Sequence, residues 1–79
     1  MKVAYFTTTG AGDATRASIP LHLAVNGSLE VGHDVFVILA GDATDIVLEG
    51  NAATLEGVGV PPMRELIAKL RDHDVPVYV

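Results

Sequence analysis

The stretch Thr8-Thr9-Gly10-Ala11-Gly12-Asp13 holds the residue types best suited to gripping a ligand. It follows an apolar run and precedes a helical pattern. Glycines at such a junction let backbone N–H groups approach an anion at a helix start, and open α/β sheets bind ligands at the carboxyl ends of their strands. Arg16 lies three residues beyond Asp13, the spacing of a pair across one helical turn. The candidate ligand-binding set is therefore Thr9, Gly10, Gly12, Asp13 and Arg16. The spacing matches neither G-x-G-x-x-G nor a loop ending in G-K-[ST], so no dinucleotide or P-loop signature is met. The plain alternative is a strand-to-helix turn with a solvated ion pair of small energetic value.

Other chemistry is sparse. His22 lies beside Leu21 and Leu23, His33 follows Gly32 in a turn, and His73 falls near a helix end, where a cation suits the dipole. None has metal-ligand spacing, and no nucleophile accompanies them, so no catalytic residue is assigned. Asp42 and Asp45 share one segment, which a helix cap plus a solvated acid explains. Cysteine is absent from the 79 residues. That excludes disulfides, thiolate chemistry and Cys-based metal sites within them. No metal and no cofactor is implied.

Charge and size narrow the classes. Ten Asp and Glu against five Lys and Arg give a net charge of −5. The cations are scattered at positions 2, 16, 64, 69 and 71. Nucleic-acid backbones need clustered cations, and anionic membranes are disfavoured by the same balance. The longest unbroken apolar run is Val35 to Ala40, far short of the roughly 18 residues of a bilayer span. The amino terminus lacks a signal-peptide pattern, so a cytoplasmic location is expected. At 49% hydrophobic residues the chain should collapse. A domain this short buries only about 60% of its unfolded surface and often leans on a partner subunit.

The elements that must position these residues follow from periodicity. Lys2 to Thr8 is a strand whose nearly continuous apolar run suits burial on both faces. Ala14 to Val31 is a helix with Ala17, Leu21, Ala24, Val25 and Leu29 in one stripe. Pro20 allows two starts: Ser18 as the N-cap, or Asp13 with a kink at the proline. Gly32 stops the helix. Asp34 to Ala40 is a second strand, and Asp42 to Leu48 a short helix closed by Gly50. Asn51 to Pro61 is a loop with one helical turn. Pro62 to Asp72 is a helix with Met63, Leu66, Ile67 and Leu70 on one face, and Val75 to Val79 a third strand. This order predicts an α/β fold, a three-layer α/β/α arrangement on a parallel sheet, incomplete in 79 residues with about three strands and two to three helices. The chain is one domain, and it stops inside a strand of buried type, as the N-terminal part of a larger fold would.

Three blocks carry a family resemblance. Gly32-His33-Asp34-Val35-Phe36-Val37-Ile38-Leu39-Ala40-Gly41-Asp42 resembles the second-strand block of the DsrE/DsrF-like sulfur-relay family. Gly57-Val58-Gly59-Val60-Pro61-Pro62-Met63-Arg64-Glu65-Leu66, running on to Val75-Pro76-Val77-Tyr78-Val79, resembles its third-strand region. Arg16-Ala17-Ser18-Ile19-Pro20 resembles the start of its first helix. The resemblance implies intracellular sulfur transfer or thiol redox chemistry, with a cysteine accepting sulfur as a persulfide directly after the third strand. The sequence ends at Val79, where that cysteine is expected next. The resemblance also implies a homo-oligomer, trimer or hexamer, and a sulfur-relay protein as partner. Apolar Ala43 to Leu48 is expected to form part of the subunit contact, or else a short helix that covers the sheet. The competing readings are a non-catalytic small-anion or nucleotide-binding module built on the Thr9–Asp13 loop, and a structural subunit of an oligomer.

Overall fold

A computed structural model describes residues 2–47 and 51–79. Three strands, β1 (Lys2–Thr7), β2 (Asp34–Leu39) and β3 (Val77–Tyr78), form one parallel sheet in the order β1-β2-β3. Lys2 pairs with Asp34, Ala4 with Phe36, Phe6 with Ile38, and Ile38 in turn with Tyr78. Helix α1 (Ala14–Leu23) connects β1 to β2, and α3 (Met63–Asp72) leads into β3. Between them lie a 3-10 helix, Gly41–Val47, and a single turn, α2 (Asn51–Thr54).

Both crossovers step across the sheet in the same direction. Crossovers of one hand that do so place their helices on the same face, and α1 and α3 indeed lie side by side. The core is the contact between that face and the helices. Val35, Val37 and Leu39 of β2 meet Ala17, Leu21, Ala24 and Val25 from the first helical segment and Met63, Leu66 and Leu70 from α3. Tyr5 and Val77 pack at its edge. The expected parallel α/β fold is present, and its incompleteness is of a definite kind: one helical layer and the sheet. β1 is consequently not buried on both faces as its composition suggests. Val3, Tyr5 and Thr7 turn toward the helices, whereas Lys2, Ala4 and Phe6 are exposed.

The first helix starts at Asp13, the second of the two starts. The Asp13 carboxylate accepts the Arg16 backbone N–H at 3.1 Å, an N-cap. Ser18 does not cap. It is buried, and its hydroxyl donates back to the Ala14 carbonyl at 2.7 Å. Pro20 lies inside α1. Beyond Leu23 the chain widens into a π turn over Ala24–Ser28, with the Leu29 N–H reaching the Ala24 carbonyl at 3.0 Å. Tyr5 and Ser28 exchange a hydroxyl hydrogen bond of 2.6 Å, which ties this turn to β1. Lys69 on α3 donates to the Asn26 side-chain oxygen, and the Asn26 amide donates to His22 Nδ1 at 3.0 Å. Gly32, at φ +87°, ends the segment as expected.

Pro62 precedes α3, whose buried face is Met63, Leu66 and Leu70. β3 is shorter than Val75–Val79 because only Val77 and Tyr78 pair with β2. The short helix after β2 is of 3-10 type. Its expected end at Leu48 and Gly50 lies outside the described residues.

Candidate functional site

Parallel strands bring their carboxyl ends to one edge, and the loop after β1 lies there. The Ala40 N–H donates to the Thr7 carbonyl at 3.0 Å and holds the two strand ends together. Gly41, at φ +55°, then turns the chain into the 3-10 helix. Buried Ala43 and Ile46 seat that helix in the core. This packing carries Asp42 and Asp45 against the loop.

Asp45 is not a solvated acid. Its Oδ1 accepts the Ala11 N–H at 2.9 Å, and the Asn51 side chain donates to its backbone carbonyl at 2.7 Å. Gly10 is buried in the same junction. A Cβ on Gly10 would sit 2.1 Å from the Asp42 carbonyl oxygen and 2.3 Å from Asp45 Oδ1. The glycine is required by close approach of protein to protein. Gly12 differs, because nothing lies within 4 Å of the position of its Cβ.

Across the loop, Asp13 opens α1. Its N–H donates to the Gly10 carbonyl at 3.1 Å, and its carboxylate faces Arg16 Nε at 3.6 Å. The Arg16 side chain is 78% exposed, so this pair contributes at most about 1 kcal/mol. A second loop closes the other flank. The Val58 N–H donates to Thr15 Oγ1 at 2.9 Å, and Gly57 packs against the α1 backbone, where a Cβ would fall 2.7 Å from Thr15 Cα.

Thr9, Gly10, Gly12, Asp13 and Arg16 are thus together at the carboxyl edge of the sheet. The Asp45 carboxylate lies beside them, and the set itself brings one carboxylate, Asp13, and one guanidinium, Arg16. An anion entering the loop would have to compete with Asp45 for the Ala11 N–H. The sequence did not mark Asp45, Gly57 or Thr15 as loop partners. Asp45 contacts a residue 34 positions away and Thr15 one 43 positions away, and no local pattern encodes such pairs.

The histidines are elsewhere. His22 takes part in the Asn26 contact, and the His73 ring nitrogen Nδ1 donates to the Lys69 carbonyl at 2.9 Å. The triplets His33-Asp34-Val35, at the start of β2, and His73-Asp74-Val75, between α3 and β3, both lie at the amino edge. They flank a concavity of about 630 Å³ with Lys2, Phe36 and Tyr78. This concavity lies at the end of the sheet away from the loop. Among the described residues, no group of three or more His, Asp or Glu is placed to hold a metal ion. Among the same residues, no helix is long and apolar enough to cross a membrane.

A parallel sheet with one helical layer and a strand-to-helix loop at its carboxyl edge defines a small α/β protein of the open-sheet class. The sequence model of the DsrE/DsrF-like family matches residues 1–79, and the chain belongs to that family. Neither a curated protein nor a solved structure matches it.

Proposed function

We propose that this chain serves intracellular sulfur transfer or thiol redox chemistry as the scaffold that presents a cysteine lying beyond Val79. The observation that carries the reading is the family match over the whole chain. The 79 residues hold no cysteine, so the thiol must come from outside them. A thiolate following β3 would stand at the carboxyl edge of the sheet, level with the loop after β1. Helix starts lower the pKa of a nearby thiol. The thiolate would attack the terminal sulfur of a donor persulfide, form a new S–S bond and release the donor as its own thiolate. The reading includes a cytoplasmic location, a homo-oligomer (trimer or hexamer) and a sulfur-relay protein as donor or acceptor. Intact-mass spectrometry of the natural gene product tests it. The expected result is a mass above 8.3 kDa and, after incubation with a persulfide donor, the gain of one sulfur atom that a thiol-blocking reagent prevents. A natural product without any thiol would overturn the sulfur reading.

A second reading is favoured by the open space beside Gly12 and the exposed Arg16. Here Thr9, Gly10, Gly12, Asp13 and Arg16 hold a small anion or nucleotide and no catalysis occurs. Phosphate or sulfate should then raise the melting temperature, and Gly12→Val should remove that protection while the fold survives. Absence of any anion effect on the unsubstituted protein counts against this module. It would leave the relay reading, or that of a structural subunit, in place.

A further inference from the structure

The chain holds two asparagines, and one of them precedes a glycine: Asn26-Gly27, against Asn51-Ala52. The side-chain carbonyl carbon of an asparagine is open to attack by the backbone nitrogen of the next residue. Glycine, without a Cβ, hinders that approach least. Asn26 and Gly27 fall inside the π turn Ala24–Ser28, and Asn26 is half-buried there.

Both ends of the Asn26 amide are taken. Lys69 on α3 donates to its oxygen, and its nitrogen lies 3.0 Å from His22 Nδ1. An ammonium only donates, and a side-chain amide has one accepting and one donating end. The Lys69 contact therefore orients the amide and turns its nitrogen to the ring. His22 Nδ1 must then accept, which leaves the ring proton on Nε2. Turning the amide over would set donor against donor at Lys69 and acceptor against acceptor at His22. Glu30 stands 3.9 Å from the same ammonium. The Tyr5–Ser28 hydroxyl bond and the Leu29-to-Ala24 backbone bond hold the main chain around Gly27.

We propose that Asn26-Gly27 is a latent deamidation site, kept shut in the folded chain by this clasp and exposed when the π turn opens. In the reaction the Gly27 nitrogen attacks Asn26 Cγ. A C–N bond forms, the Gly27 proton passes to the departing amide nitrogen, and ammonia leaves. Water then opens the cyclic imide at either carbonyl, to aspartate or isoaspartate, with no change of oxidation state. Helical backbone points the Gly27 N–H along the helix axis, away from the Asn26 side chain, and the clasp holds Cγ toward α3. The product does not restore the original contact. In the aspartate form both oxygens accept, so Lys69 keeps a partner but the neutral His22 ring must carry its proton on Nδ1. In the isoaspartate form the main chain gains a CH2, and the Leu29-to-Ala24 register is lost. Either form adds a negative charge to a chain already at −5. Opening of the contact between the π turn and α3 is thereby recorded in the covalent chain.

Peptide mass spectrometry of the 79-residue chain, held at neutral pH and sampled over time, tests the proposal. Replacement of NH2 by OH is read at Asn26 and Asn51 separately, in the native chain and in guanidinium chloride. Asn26 should react about tenfold or more faster unfolded than native, and Asn51 should lag behind it in the unfolded chain. Lys69→Met keeps the side-chain stem and removes the ammonium, and should speed the native reaction by about tenfold. Gly27→Ala should suppress the reaction in both states. Nothing lies within 4 Å of a Cβ at position 27, so the fold accepts the methyl group. Nitrogen chemical shifts should place the His22 ring proton on Nε2 in the unsubstituted chain and on Nδ1 in Asn26→Asp. Equal native and unfolded rates at Asn26 would overturn the proposal, and this comparison needs no substitution. A native rate unchanged in a folded Lys69→Met chain would overturn the clasp as the guard. A lowered rate would overturn it in the opposite sense, with the ammonium polarising Cγ for attack.

Discussion

Gly10→Ala is expected to destabilise the fold by on the order of 3 kcal/mol, while Gly12→Ala, two residues away, changes it by less than about 0.5 kcal/mol. The added Cβ at position 10 meets the Asp42 carbonyl oxygen at 2.1 Å and Asp45 Oδ1 at 2.3 Å. The first of these atoms is backbone and cannot swing aside. Relief requires that the loop lift from the 3-10 helix, which breaks the Ala11–Asp45 hydrogen bond and partly unseats Ile46. At position 12 the same methyl group enters open space. For a domain of this size the first change should lower the melting temperature by roughly 15 °C, and the second should be close to silent. Thermal unfolding followed by circular dichroism reads both. Similar melting temperatures for the two variants would show that Gly10 is not held by close contact. The pair also separates architecture from binding, since only Gly12 could lose a ligand without losing the fold.

Ile46→Asp is expected to unfold the chain, with no intermediate state of dissociated, folded subunits. Ala43 and Ile46 have no solvent exposure even in the single chain and belong to the hydrophobic core. For Ala43 to Leu48, expected to form part of a subunit contact or a short helix over the sheet, the burial of Ala43 and Ile46 fits the short helix. The segment's stake in a subunit contact is reduced to exposed Val47, and Leu48 lies outside the described residues. An aspartate at position 46 must leave an unpaired charge in apolar surroundings, at a cost of several kcal/mol. Domains near this size hold only about 5 kcal/mol in reserve. Loss of helical signal and of amide dispersion in NMR spectra should follow, whereas Ile46→Val should cost only about 1 kcal/mol. A folded Ile46→Asp monomer would show that the 3-10 helix is dispensable to the core.

Much of the fold was legible because its elements are encoded by short-range periodicity. The stripe Ala17, Leu21, Ala24, Val25 on the first helix, and Met63, Leu66, Leu70 on α3, are the residues the core buries. Alternation of strands and helices implied a parallel sheet, and the sheet is parallel. The start of the first helix was ambiguous because Asp13 and Ser18 are both competent caps. The choice fell to Asp13 once Ser18 was buried and its hydroxyl turned to the Ala14 carbonyl. The length of β3 was overestimated for a related reason. Val75 and Val79 have strand chemistry, but a strand is defined by its partner, and β2 reaches only Val77 and Tyr78.

Short-range pattern in the chain carried the order of its elements and the residues of its helical faces. Net charge, absence of cysteine and apolar spacing are properties of the chain that no folding alters. Tertiary structure alone decided three matters. Both helices took one face of the sheet, and among the described residues Phe6 and Tyr78 are exposed on the other, because two crossovers of one hand advanced in one direction. Asp45 became the brace of the loop after β1, and Gly57 the close neighbour of Thr15. Those contacts join residues more than thirty positions apart. A local pattern reports which face of an element is apolar; it carries no information about which distant backbone will arrive within hydrogen-bonding distance, because that depends on how the layers pack.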